Sequence, residues 1–414
     1  MAEEEVGDDL FTNMVVEFSG GPSNVETEDL TPVEVTLAES LMTPGLQTSV
    51  KFHSAAHTLN DGAVKNLELF KNSTIIISLE KPILKQYGIK SEMLVAQPVY
   101  RLDNRKLFND NTEEFYLRAC DPSLLTDAET LVSKSWKCTA PVDIVQYVLR
   151  SCAGVQNLVA REGGGPARDY TAENIHPFQV VAQQASYALS GGYDPSFLHF
   201  MTYENNGTHY FESLRFLTSL NPIYDTPFSY VQTGGAANAH ANPYNALTYS
   251  FPCDFDVLSD ILNGVGTFNQ FLSSLVLLNP FNKSFSLLGS QNYGCGIGEG
   301  VMNYALSNMN SARQQDACPD YASVYRLKRQ ARMGLLDPNK VALRLVVPFN
   351  PELNAGKLIR FRLYNKEAAS GGNLIDNYGS GVYLIKSLVH TIKYGGYATT
   401  TLDCISQTVG QGAV

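Results

Sequence analysis

The first 50 residues contain no lysine or arginine. They hold eleven acidic residues, Glu3, Glu4, Glu5, Asp8, Asp9, Glu17, Glu26, Glu28, Asp29, Glu34 and Glu39, and this alone accounts for the formal net charge of −11 of the whole chain. The rest balances, with 30 acidic against 30 basic residues. A sequence-specific reader of DNA or RNA is expected to carry a net basic face, so the charge balance argues against that function class. The acidic arm reads as a solvated terminus, with docking onto a basic partner surface as the alternative. No apolar run approaches the roughly 20 residues of a membrane-crossing helix, and "MAEEEVGDDLF" is acidic where a secretory leader is basic. Folding in a cytoplasm is expected. The seven cysteines, Cys120, Cys138, Cys152, Cys253, Cys295, Cys318 and Cys404, are odd in number and form no CxxC pair. That argues against a disulfide framework or a zinc site and predicts buried free thiols.

Catalytic signatures are also missing. "YGCGIGEG" at 293–300 places its glycines at 294, 296, 298 and 300, which completes no GxGxxG. "NAGKL" at 354–358 lacks the earlier glycine and the Ser or Thr of a phosphate loop, and reads as a turn between strands. His53 and His57 in "HSAAH" have no third ligand nearby. "GGGP" at 163–166, near Arg168, reads as a mobile loop. Glu204 and Glu212 flank a hairpin and could form a glycosidase pair, although hairpin strands carry solvent-facing carboxylates routinely. No GxSxG elbow is present. The reading is therefore of a chain that is not an enzyme, with no catalytic, cofactor or metal residue assigned.

What is present is strand. At 414 residues, 44% hydrophobic and 17% charged, the chain has the composition of a globular protein with several domains. Val33, Val35 and Leu37 alternate, Thr43-Pro44-Gly45 breaks the run, and Gln47 to Phe52 resumes it. Runs at 73–79, 92–103 and 113–121 follow, with Asn104 and 109–111 as turn chemistry. This predicts a small antiparallel barrel. The period then changes. Pro141 opens a helix striped by Val145, Val148, Leu149 and Cys152, and His176-Pro177 opens another striped by Phe178, Val181, Ala182, Ala185 and Leu189. Asn205-Asn206-Gly207 then joins two strands. Residues 221–250 are loop-like, 255–275 amphipathic, and 325–336 a basic helix carrying Arg326, Lys328, Arg329 and Arg332, expected to face protein partners. Strands return at 341–365.

The last hairpin, Gly379 to Ser406, turns at Gly395-Gly396. Period-two reading puts Val382, Leu384, Leu388 and Ile392 on one face and Tyr383, Ile385 and Val389 on the other. Both faces are apolar, so cover from a neighbouring barrel or subunit is expected, and Lys386 and Lys393 are expected to meet a partner or lumen.

In this order, "VTLAESLMTPGLQTSVKF", "FYLRACDPSLLTDAETLVSKSWKCTAPVDIVQYVLRS", "HPFQVVAQQASYAL", "FLHFMTYENNGTHYFESLRFL", "VALRLVVPFNPELNAGKLIRFRL" and "GVYLIKSLVHTIKYGGYATTTLDCIS" resemble the central baseplate hub proteins of contractile-tailed bacteriophages and related injection systems. The resemblance spans roughly residues 30–408 and is weakest over 221–330. It implies an α+β, predominantly β fold. Its parts would be an acidic N-terminal arm (1–30), a first tube β-barrel (31–121), an α+β module (122–220), a loop-rich and helical segment (221–334) and a second tube β-barrel (335–414). It further implies a homotrimer whose six barrels give pseudo-sixfold symmetry. Such a hub joins the tail tube protein to the central spike protein among other baseplate proteins, with DNA passing through a neutral or acidic channel. No cofactor or membrane contact is implied, and the location is the virion tail, assembled in the host bacterial cytoplasm. Two rival readings stand beside it: a carbohydrate-binding or carbohydrate-cleaving tail component, motivated by the 22 tyrosines, and a single-barrel tube or completion protein.

Overall fold

A computed structural model describes residues 10–20, 30–55, 73–109, 112–165, 167–190, 194–230, 235–252, 341–364, 375–376 and 379–406, the backbone of three strands within 274–306, and Arg329, Met333 and Leu336. The N-terminal segment contributes β1 (Asn13–Ser19), β2 (Leu30–Ser40), β3 (Gln47–Ala55), β4 (Thr74–Glu80), β5 (Glu92–Asn109) and β6 (Thr112–Cys120). A mixed region follows, with α1 (Pro122–Glu129), β7 (Val132–Thr139), α2 (Pro141–Ser151), β8 (Leu158–Val159), β9 (Arg168–Ile175), α3 (Pro177–Tyr187), β10 (Phe197–Thr202), β11 (Thr208–Ser213) and α4 (Leu214–Ser219). Then come β12 (Phe228–Ser229), α5 (Ala236–Ala241), β13 (Thr248–Ser250), β14 (Ser274–Asn279), β15 (Ser284–Leu288) and β16 (Met302–Leu306). The chain returns through β17 (Leu343–Pro348), β18 (Leu358–Arg362), β19 (Gly381–Lys393) and β20 (Thr399–Ile405).

The local signals work as physical chemistry dictates. Pro122, Pro141 and Pro177 each occupy a first helical turn, where a missing N–H costs nothing. Asp143 and Arg150 sit at the dipole ends they complement in α2, whose buried stripe includes Val145, Val148 and Leu149. Asn205, Asn206 and Gly207 all have positive φ, and β10 and β11 pair in register from Thr202 opposite Thr208. Asn104 has φ 53 as well, yet the chain does not reverse there; it bulges within β5, between the pairs of Asp103 and Lys106.

The two ends of the chain form one twelve-stranded sheet in the order β1-β4-β5-β6-β3-β2-β19-β20-β17-β13, with β18 on β19 and β12 on β18. The seam is antiparallel, from Ser387 opposite Ser40 to Lys393 opposite Glu34. On one side of it a core contains Val35, Phe52, Ile77, Phe115 and Leu117; on the other, Phe228, Leu345, Phe361, Tyr383 and Leu402 make a second. The mixed region has its own core around Val145, Val181, Phe197 and Phe211. A fourth cluster joins it to the sheet, through Leu41, Phe200, Leu214, Leu358, Leu384 and Ile405.

β19 corrects the sequence expectation. A bulge falls between Ile385 and Ser387, so the faces exchange parity. Tyr383, Ile385 and Leu388 share one core, Leu384 enters the joining cluster, Ile392 enters the first core, and Val382 is exposed. The cover for both faces comes from the chain's own mixed region and end strands, so a neighbouring subunit is not needed for it. Lys386, at the bulge, is buried, whereas Lys393 is exposed.

Candidate functional site

Val35, Leu37, Glu39 and Leu41 share the buried parity of β2 and the residues beyond it. One of the four is a carboxylate. Glu39, only 3% exposed, stands where the first core, the mixed region and the β17–β18 loop meet. Its Oε1 accepts from the Tyr203 N–H at 2.6 Å and from Asn354 Nδ2 at 3.3 Å, and its Oε2 accepts from the Ala355 N–H at 2.8 Å. Burial pushes its carboxyl up to about 7, against these donors and Lys357, which pull it down. The Tyr203 hydroxyl extends the junction by donating to the Gln47 carbonyl at 3.0 Å and lying 3.1 Å from Thr48 Oγ1. Glu39 is therefore no part of a solvated arm.

Beside this junction lies a cleft of about 500 Å³, lined among others by Lys90, Leu94, Glu204, Asn206, Glu352 and Lys357. Its polar groups are bonded across the units. Glu352 accepts from the Lys90 N–H at 2.9 Å and the Tyr224 hydroxyl at 2.8 Å, and Asn206 Oδ1 accepts from the Ala96 N–H at 3.1 Å. Lys357 Nζ is 3.6 Å from Glu204. Side chains engaged in this way stitch segments together.

A second buried chain of polar groups runs through the mixed region. Asp121 caps α1, accepting from the Ser123 N–H at 2.8 Å and from the Ser123 hydroxyl. Ser123 Oγ is 3.2 Å from His209 Nε2, and His209 Nδ1 is 3.1 Å from His199 Nε2. Since Ser123 gives its proton to Asp121, donors run His199 to His209 to Ser123 to Asp121. Burial lowers His209 to about 4 and His199 well below its ordinary value. A nucleophilic serine needs the reverse, a hydroxyl facing a free imidazole nitrogen with the carboxylate behind the imidazole. Sequence reading passed over this chain; its signal was the Asp-Pro-Ser start of a helix.

The residues weighed from the sequence are scattered. His53 Nε2 is 3.3 Å from Glu114, which is also 2.7 Å from Lys51; His57 and residues 293–300 lie outside the described residues. Glu204 accepts from the Tyr210 hydroxyl at 2.6 Å, while burial raises Glu212 to about 7 even with Arg161 3.4 Å away, so each carboxylate has its own partner. Gly164 and Gly165 are closely approached, since a Cβ on either would sit 3.0 Å from the Val142 or Leu189 backbone, whereas Gly163 faces open space. Arg168 lies 3.3 Å over the Tyr187 ring. Of the basic run, Arg329 is described, and it turns inward, donating to the carbonyls of Ala185, Pro195 and Phe197 at 2.8, 2.8 and 3.0 Å. Cys120, Cys152 and Cys404 are free thiols, but Cys138 is disulfide-bonded, against expectation. Among the described residues no group of three or more His, Cys, Asp or Glu could hold a metal, and no helix is long and apolar enough to cross a membrane.

No family model matches the chain, and no curated protein does. Solved structures do. The tail protein from Neisseria meningitidis MC58 is similar with a TM-score of 0.54 at 10% identity, over 97% of this chain and 98% of that one. A 43 kDa tail protein of prophage MuSo2 from Shewanella oneidensis gives 0.49 at 9% identity, over 95% and 98%. A component of the Escherichia coli type VI secretion system gives 0.45 at 9% identity, over 97% and 79%. The Neisseria tail protein agrees with the resemblance drawn from the sequence, and at 10% identity the likeness is one of fold.

Proposed function

We propose that the chain is a structural hub of a phage tail baseplate. It assembles as a homotrimer with pseudo-sixfold symmetry, joins the hexameric tail tube to the trimeric central spike, and leaves a channel for DNA. The observation that carries this is the fold shared end to end with a tail protein, at 97% and 98% coverage. The sheet gives the reading its geometry. Two β-rich ends, each with its own core, lie side by side across the β2–β19 seam, and two such halves in each of three subunits make six positions. Tyr100, Leu107 and Phe108 expose apolar surface along the outer half of β5, where contacts between copies would cover it. The partners are the chain itself, the tube protein, the spike protein and other baseplate proteins, with DNA passing unread; the place is the virion tail, after assembly in the host bacterial cytoplasm. No catalytic step and no cofactor is assigned. Native mass spectrometry of the purified chain tests the assembly. A species of three copies is expected, and a monomer at all concentrations that degrades polysaccharide would replace the hub with the rival tail enzyme.

A further inference from the structure

β5 outruns its partner on one side. β4 pairs with it only as far as Thr74 opposite Pro98, and among the described strands the stretch of β5 from Arg101 to Asn109 pairs with β6 alone. The β5–β6 arm so formed is charged in an ordered way. Glu114 lies 2.7 Å from Lys51 and 3.0 Å from Lys106, Glu113 accepts from Arg105 at 2.9 and 3.2 Å, and Asp103 lies 2.5 Å from Arg101 and 3.3 Å from Arg118. The carboxylates sit low and the cations stand out: the side chains of Lys106 and Arg101 are 64% and 66% exposed, against 3% for Glu114 and 17% for Asp103. Three carboxylates thus serve five cations, and the surface that meets solvent is positive. Tyr100, Leu107 and Phe108 are exposed along the same stretch. Cations alone would guard an open strand edge. Guarding does not call for large apolar side chains in water, and the two together fit a partner segment that is acidic with apolar residues between its charges.

The chain itself carries such a segment. Glu3, Glu4, Glu5, Asp8 and Asp9 flank Val6, and no basic residue offsets them. The arm of the same copy is out of its reach. Asn13 stands opposite Glu80 and Glu80 opposite Glu92, so the chain enters the sheet level with the end of β5 farthest from the arm. Arg101 and Lys106 follow Glu92 by nine and fourteen residues, which along a strand is about 30 and 46 Å. From Leu10 back to Glu3 an extended chain spans at most about 25 Å. We propose that the β5–β6 arm of one copy receives residues 3–9 of the next, with Arg101, Lys106 and their neighbours paired to its carboxylates and Leu107 and Phe108 against Val6. It needs neighbouring copies, and so rests on the hub reading. Giver and receiver are different surfaces, which makes the contact heterologous, the kind that closes a ring. In the hub it would also keep the arm's cations from the passing DNA.

The test is carbodiimide cross-linking of the full chain, assembled from equal amounts of copies labelled with the light and the heavy nitrogen isotope, followed by peptide mass spectrometry. The reagent condenses an ammonium with a carboxylate it touches into an amide, with loss of water. Amides between Lys106 and residues 3–9 are expected, with the two peptides carrying different labels. In sedimentation, the triple variant Glu3→Gln, Glu4→Gln, Glu5→Gln leaves the arm's own ion pairs intact and is expected to associate about tenfold more weakly than wild type. The double variant Arg101→Gln, Lys106→Gln is expected to do the same. A trimer in which Lys106 links only to Glu114, or to residues 3–9 of its own label alone, overturns the proposal and leaves the hub standing; a monomer at every concentration overturns both. A short DNA duplex that binds the wild type, and binds the double variant less, would assign the arm to nucleic acid and overturn the proposal as well.

Discussion

Replacing Glu39 by alanine removes the one acceptor shared by three segments. The Tyr203 and Ala355 N–H groups and the Asn354 amide, bonded at 2.6, 2.8 and 3.3 Å, would all lose their partner inside the protein. An unsatisfied buried donor costs about 1–3 kcal/mol. Three of them come to roughly 3–6 kcal/mol, once some relief is allowed for deleting a desolvated carboxyl. The loss should also be uneven, because the junction is what couples the mixed region to the sheet. Trp136, the sole tryptophan, lies on β7 in the mixed region and packs on Tyr170 at 5.8 Å, so its fluorescence reports that region, whereas far-UV circular dichroism reports mainly the sheet. In urea the two probes should give coincident transitions for the wild type and separated ones for Glu39→Ala, with Trp136 moving first. A variant within about 0.5 kcal/mol of wild type, with both probes still coincident, would refute the junction argument.

Other perturbations follow from the same geometry. With Glu39 raised from its ordinary 4.5 to about 7 in the folded state, its contribution is complete below pH 4.5 and is lost as pH rises through 7. The stability of wild type relative to Glu39→Gln should thus fall by about 3 kcal/mol between pH 4.5 and pH 8, and a flat difference would count against the burial. Gly356 has φ +88, and a Cβ there would meet the Phe200 ring at 3.1 Å; Gly356→Ala should cost about 1–3 kcal/mol by urea titration, where an exposed turn would show no change. Charge reversal separates the two lysines of β19. Lys386→Glu, at a buried bulge, should lower Tm sharply, and Lys393→Glu, at an exposed strand end, should leave Tm unchanged and report on assembly alone.

How far the sequence could be read depended on how local each signal was. Proline at two helix starts and the Asn-Asn-Gly turn act within a few residues, and they located α2, α3 and the β10–β11 hairpin, whereas the same signal at Pro122 was passed over and α1 with it. The β2–β19 seam joins strands from opposite ends of the chain, and no pattern within either strand names its partner. One extra residue at Lys386 was enough to exchange the faces of β19, which a period of two cannot register. Glu39 was counted among the acidic arm because its donors lie far off in sequence, at Tyr203 and Ala355. The clue was its parity with Val35 and Leu37, a carboxylate where an apolar residue belongs. Arg329 looked like one of four exposed basic residues, and the carbonyls that receive it belong to segments more than a hundred residues earlier.

The hub claim is tested most directly by cryo-electron microscopy of the purified chain, alone and with a trimeric spike protein. A hub requires a closed ring of three copies with six β-rich lobes around a bore whose wall is neutral or acidic. A monomer in both samples, or a ring lined by a continuous belt of lysine and arginine, would contradict it.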